Sequence, residues 1–239
     1  MTQFPRVALC SWWRNDSARN LQQRAWRLLS KSYPAARWLW LVGDSSDDTY
    51  ARLLEVAGEI RPYRSVELLQ IDTGICGEDP ATRRRRLGAT VNLVLERVRE
   101  EDEYLLLHES DLVSPPDLVE RFVEHAQSGR CPIAGWPILE INDHQVVFYD
   151  IWAYRSGGKM FSNLPPFSAC YRPDAPFQVD SVGSVWMFDA ADARRGARFG
   201  AEACLTMCAQ LRELGRTFWV DPTLVVVQPR DLWTPTSTT

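Results

Sequence analysis

The chain has 239 residues, 45% of them hydrophobic and 24% charged, a globular composition that excludes disorder over most of its length and supplies enough apolar side chains for a self-standing core. Its net charge of −4 is uneven: residues 1–100 hold 16 basic and 12 acidic side chains, and the remainder 11 and 19. A basic first half suits an anionic small molecule, and the acidic second half argues against a broad nucleic-acid footprint.

A short buried strand is expected over 7–10, followed by an amphipathic helix over 18–30 with Leu21, Ala25, Leu28 and Leu29 on one face. Residues 38–42 form a second apolar run, ended by the turn-rich segment Gly43-Asp44-Ser45-Ser46-Asp47-Asp48. A helix over 49–57, a strand over 66–71, a longer helix over 80–99 and a strand over 104–107 complete an alternation of strand and helix. That order predicts an α/β fold with a Rossmann-like, mainly parallel sheet flanked by helices. In such sheets ligands lie beyond the carboxyl ends of the strands, where Ser11, Asp44 and Asp111 fall.

After Asp111 the pattern loosens. A helix opens at Pro115-Pro116, a loop-rich stretch follows, a strand pair is expected over 177–189, a helix over 202–214 and returning strands over 217–227. No linker separates the halves, so the expectation is one domain over 1–239: a nucleotide-binding half, 1–111, and a loop-rich acceptor-binding half, 112–239. No stretch approaches the ~20 apolar residues of a membrane span. Six cysteines without a CxxC pair read as buried free thiols of a cytoplasmic protein.

Three local patterns carry candidate chemistry. Gly43 to Thr49 is either an ordinary turn and helix cap, or a strand-end carboxylate placed to accept from a base or ribose. Glu109-Ser110-Asp111, two acids at i and i+2 beyond a buried strand, can hold a hard divalent cation against a diphosphate, or can be surface acids before a turn. Arg83-Arg84-Arg85-Arg86 at a helix start is either a solvated face or a source of guanidinium for phosphate, with Arg83 and Arg86 on one side and Asn92 further along.

Val7-Ala8-Leu9-Cys10-Ser11, the turn from Gly43 to Thr49, Arg86-Leu87-Gly88 with Asn92, and Leu105-Leu106-Leu107-His108-Glu109-Ser110-Asp111 together resemble the GT-A glycosyltransferases, with a first half like family 2. Tyr149-Asp150-Ile151-Trp152, Asp180-Ser181-Val182-Gly183-Ser184 and Gly196-Ala197-Arg198-Phe199 resemble, more loosely, the α-mannosyltransferases of family 62. The resemblance implies transfer of a sugar from a UDP- or GDP-sugar to a hydroxyl on a glycan, a protein or a hydroxymethylated DNA base, assisted by Mn²⁺ or Mg²⁺. It implies Ser11, Arg14, Asp44, Asp47, Arg86 and Asn92 on the donor, and Asp111 with Glu109 on the metal. Glu202 and Asp111 would be catalytic, and Asp150, Trp152, Asp180 and Ser184 would face the acceptor.

Two departures stand out. The second acid of the usual Glu-Asp pair is Ala203, and the His that often follows the last strand is replaced near Val227-Gln228-Pro229. Inversion with Glu202 as base and retention without a dedicated base therefore both stay open, with the family 62 likeness leaning towards retention. A nucleotidyltransferase would want a Gly-rich loop with Lys after the first strand, which Cys10-Ser11-Trp12-Trp13-Arg14 lacks. That reading stays as one alternative, and a catalytically inactive sugar- or nucleotide-binding module on the same fold is the other.

Overall fold

A computed structural model describes residues 4–16, 33–62, 65–77, 79–142, 145–161 and 173–229. The helix expected over 18–30 lies outside them. Strands β1 (Val7–Trp13), β2 (Ala36–Gly43), β3 (Val66–Ile71) and β4 (Tyr104–Glu109) are mutually parallel in the order β3-β2-β1-β4. Helices α1 (Thr49–Ile60) and α2 (Pro80–Leu95) connect along this half.

Alternate strand residues face opposite ways and bury different helices. Ala8, Cys10, Leu39, Leu41, Leu105 and Leu107 pack with Val91, Val94 and Leu95 of α2 and with Met207, Cys208 and Leu211 of α5 (Cys204–Glu213). Val7, Leu9, Trp38, Trp40 and Leu106 pack with Leu53, Val56 and Ile60 of α1 and with Phe122 of α3 (Leu118–Gln127). Both faces are covered, so these strands read as continuous apolar runs rather than alternating ones.

Helix α2 begins where the Asp79 carboxylate accepts from Ala81 N and Thr82 N, both at 3.0 Å. It stops at Leu95, four residues short of the expected end. The chain beyond is drawn out by Arg37, which donates to Arg97 O at 2.8 Å, and by Asp102, which accepts from Arg99 N at 2.8 Å. Arg37 and Asp102 also form a two-point buried pair, 3.0 Å and 2.6 Å, locking the amino end of the sheet. Breaking one side of such a pair costs about 3–5 kcal/mol.

The second half departs from the sequence reading. The stretch expected to be loop-rich contains β5 (Ile133–Asn142) and β6 (Gln145–Phe148), an antiparallel pair. The strands expected as a pair over 177–189 are β9 (Phe177–Val179) and β10 (Val185–Asp189), and they are not neighbours. β10 inserts antiparallel between β4 and β5, and β9 pairs with β11 (Phe218–Gln228) at the edge. β11 runs parallel to β5, with an irregularity between Val220 and Val225. The small hairpin β7 (Arg155–Ser156) and β8 (Lys159–Met160) and the short helix α4 (Ala190–Arg194) complete the described elements. One nine-stranded sheet, six of its strands running the same way, thus draws on both halves of the chain.

Candidate functional site

Beyond the carboxyl ends of β2 and β3 lies a cavity of about 710 Å³. Arg14, Asp44 and Arg86 line it, together with Ser45, Ser46 and the loop from Asp72 to Gly77. Asp44 turns the chain at φ +51°, a region that Asp tolerates better than most side chains. Its carboxylate accepts from Thr73 N at 2.7 Å and from the Thr73 hydroxyl at 2.6 Å, so it ties the β2 and β3 loops together. Arg86, almost fully buried, donates to Ile75 O at 3.2 Å and Gly77 O at 3.3 Å, which holds the far wall. Asp47 supports rather than lines the cavity: its carboxylate accepts from Thr49 N and from the Thr49 hydroxyl at the first turn of α1. Asn15 Oδ1 accepts from Ser46 N at 2.9 Å and sews the end of β1 to the same turn.

Two of the residues expected on the donor sit elsewhere. Ser11 is fully buried inside β1, which runs on to Trp13, and its hydroxyl has no hydrogen-bond partner. Asn92 spends its side-chain amide on one distant backbone position: Nδ2 donates to Phe199 O and Oδ1 accepts from Phe199 N, both at 2.9 Å. It clamps α2 to the segment before α5. In the arginine run, Arg83 is exposed and Arg86 buried, so the two do not share an environment.

At the end of β4 an acidic cluster gathers. Glu109, Asp111 and Asp150 lie close enough to perturb one another, and burial followed by the Asp111 and Asp150 charges pushes the Glu109 carboxyl well above its usual range. Burial also raises Asp150, against the lowering effect of its bonds from the Ser184 hydroxyl (2.6 Å) and Ala153 N (3.3 Å). Ser184, at φ +56°, also accepts from Glu109 N through its carbonyl at 3.0 Å, which couples the two acids. Gly183 is required beside them: a Cβ there would stand 2.4 Å from Asp150 Oδ2 and 2.5 Å from Ala153 Cβ. Asp150 and Ser184, expected on the acceptor, therefore belong to this cluster.

Gln228, in the stretch where the resemblance led one to expect a His, donates from Nε2 to Asp111 Oδ2 at 2.6 Å. The Tyr149 hydroxyl approaches the same oxygen at 3.4 Å. Among the described residues no group of three His, Cys, Asp or Glu is assembled for a metal ion. Yet the buried Oε1 of Gln228 has no hydrogen-bond partner. With Asp111 and Glu109 it makes an oxygen-only donor set, which fits a hard divalent cation.

A second cavity, about 560 Å³, opens where Asp180 and Glu202 face Arg155 and Arg212. Asp180 Oδ2 accepts from Gly158 N at 2.7 Å. Arg84 joins Trp152 to Glu202: its guanidinium carbon lies 5.5 Å from the ring centroid and its Nε 3.9 Å from Glu202 Oε2. Glu202 does not open the helix as expected, because Ala203 at φ +46° intervenes and α5 starts at Cys204. Sequence reasoning did not single out Tyr149, Gly183, Arg155 or Arg212; the first two fall inside the stretches that resemble family 62, and no signal points to the arginines.

No family model and no curated protein sequence matches the chain. Solved structures do. A mannosyltransferase from Pyrobaculum calidifontis, PcManGT, in complex with GDP-Man and Mn²⁺, superposes with TM-score 0.64 at 16% identity over 99% of this chain and 59% of that one. TarS residues 1–349 from S. aureus, in complex with UDP-GlcNAc, gives 0.61 at 12% identity over 94% and 58%. The fold is that of the GT-A glycosyltransferases. The chain spans under two thirds of the length of either GT-A relative. Within the GT-A sheet order, the large cavity and the acidic cluster stand side by side, at the ends of β2–β3 and of β4, with only β1 between.

Proposed function

We propose that the chain transfers a sugar from a nucleotide-sugar donor to a hydroxyl acceptor, assisted by Mn²⁺ or Mg²⁺. The observation that carries this reading is the adjacency just described: an Arg- and Asp-lined cavity next to a strand-end acid pair, on one end of one sheet. The nucleoside lies in the 710 Å³ cavity against Asp44 and Arg14, with Arg86 fixing the wall and directing positive charge at the diphosphate. Asp111 and Glu109, with the amide oxygen of Gln228, hold the cation, which when bound neutralises the charge that develops on the departing diphosphate. Asp150 and Ser184 position Glu109, and Gly183 makes room for Asp150.

The acceptor approaches from the cavity lined by Asp180 and Glu202, with Trp152 as a stacking surface beside it. Its hydroxyl is carried by a glycan, a protein or a modified DNA base. No described helix is long and apolar enough to cross a membrane, and the five described cysteines are free thiols, which suits a reducing cytoplasm.

The test is turnover of GDP-Man and UDP-GlcNAc, with and without EDTA, for the protein and its Asp111→Asn variant. Metal-dependent release of nucleotide, lost in the variant while the melting curve stays put, supports the reading. Nucleotide binding with no turnover of either sugar and no effect of metal favours the inactive-module alternative.

A further inference from the structure

The cavity beside Glu202 carries an imbalance of charge. Its two acids are both engaged: Asp180 by the Gly158 N–H, and Glu202 by the Arg84 guanidinium that also covers Trp152. Its two arginines are not. Among the described residues neither Arg155 nor Arg212 makes a side-chain hydrogen bond or ion pair, and the Nε of Arg155 is closed off from solvent with no partner at all. Two guanidinium groups that line a cavity without an anionic side-chain partner can take one from a bound oxyanion through their terminal N–H groups.

The geometry of the surroundings is also fixed. Arg155 sits in β7, whose backbone is pinned to Ser181 and Asp180 by its own N–H (3.3 Å) and carbonyl (2.7 Å). Arg212 projects from the last turn of α5, one face of which adds Leu205, Thr206 and Ala209 to the wall. A guanidinium pair over a partly apolar wall matches a planar or tetrahedral oxyanion attached to a carbon skeleton.

We propose that this cavity is an acceptor subsite for an anionic group, a phosphate or a carboxylate borne by the sugar or polyol whose hydroxyl is glycosylated. The proposal rests on the glycosyl-transfer reading for its purpose, but the binding site stands on the arginines alone. Arg155 and Arg212 clamp the oxyanion, and Glu202, held by Arg84, faces the neighbouring hydroxyls.

The experiment is calorimetric titration of the full chain with glycerol 3-phosphate, glucuronate and, as neutral counterparts, glycerol and glucose. Binding of either anion without binding of its neutral counterpart is expected, and the stronger of the two identifies phosphate or carboxylate as the group. Arg212→Gln, at an exposed helix position, should weaken that binding by about tenfold and leave GDP and UDP affinity unchanged. Arg155→Gln should do the same, and Arg155→Lys should recover part of it; melting curves check that each variant is folded. Equal binding of anionic and neutral probes, or anion binding indifferent to Arg212→Gln, overturns the subsite. Loss of GDP or UDP affinity in the same variant also overturns it, by moving the arginines to the donor. Anion binding in a protein that turns over no nucleotide sugar leaves the subsite standing and removes the glycosyl-transfer reading instead.

Discussion

Replacing Asn92 with Ala separates a donor contact from a structural clamp. The substitution deletes two hydrogen bonds of 2.9 Å and leaves both the N–H and the carbonyl of Phe199, a residue 6% exposed, without that partner. Two net hydrogen bonds, with part of the penalty for orphaned backbone groups, come to roughly 2–4 kcal/mol. Ala's better helix propensity returns only about 0.5 kcal/mol of that. For a chain of this size each kcal/mol moves the melting temperature by roughly 2–4 °C, so a fall of about 5–15 °C is expected in a calorimetric scan. The same clamp holds the segment leading to Glu202 against α2. Nucleotide affinity, titrated well below the melting temperature, should stay within about threefold of the parent, since 1.4 kcal/mol is tenfold. A loss of more than tenfold in GDP or UDP affinity with an unmoved melting curve would refute the clamp and return Asn92 to the donor.

Asp44→Ala should weaken nucleotide binding by roughly 1–3 kcal/mol, because the cavity loses both a carboxylate and the tie to Thr73; unchanged affinity in a titration would place the nucleoside elsewhere. Gly183→Ala forces a Cβ onto Asp150 Oδ2 and should abolish turnover, whereas parental turnover would show that the carboxylate is free to move aside. Cys76, exposed on the wall of the large cavity, should react first with a maleimide at pH 8 and be protected by nucleotide. Cys131 and Cys208, whose thiols burial pushes up to about 12, should react only after unfolding, as read by peptide mass spectrometry. Removal of a positioned base costs about 10²–10⁴-fold in rate. A loss of that size in Glu202→Gln, with inverted product by NMR, would exclude retention, and a mild loss with retained product would support it.

The first half was legible because its signals are local. Apolar runs of strand length, Asp and Ser at the turns, and Asp79-Pro80 at a helix start fix β1–β4, α1 and α2 from windows of a dozen residues. Arg14, Asp44 and Arg86 reach one cavity because each stands at a predictable end of such an element. The second half is settled by pairings that no window contains. β10 reaches back to β4 across some eighty positions and pairs on its other side with β5, and none of these strands announces its neighbour. The Asn92 clamp was out of sight for the same reason, its partner being 107 residues away. Gln228 meets Asp111 across 117 residues, so only the missing His was visible in the sequence. The burial of Ser11 was missed more simply, since β1 runs past it to Trp13.

The absence of an acid at position 203 follows from its neighbourhood. Ala203 is 1% exposed and held at φ +46°, ψ −123°, a conformation costing about 1–3 kcal/mol in a residue with a Cβ. The adjacent Cys204 thiol is pushed well up by burial first, then by Cys208 and by the charges of Asp150 and Glu109. An acid at 203 would enter that same field, beside carboxyls already raised by burial and by each other. Burial and like charges disfavour one more ionised carboxylate there. Glu202, one residue earlier, has an exposed side chain whose carboxylate lies 3.9 Å from Arg84 Nε. On the proposed glycosyl-transfer reading, the half-buried Glu109 and Asp111 serve the cation and diphosphate, and the exposed Glu202 serves the acceptor cavity. That division demands nothing of a base during retention, and under inversion it leaves Glu202 as the group placed to take the proton.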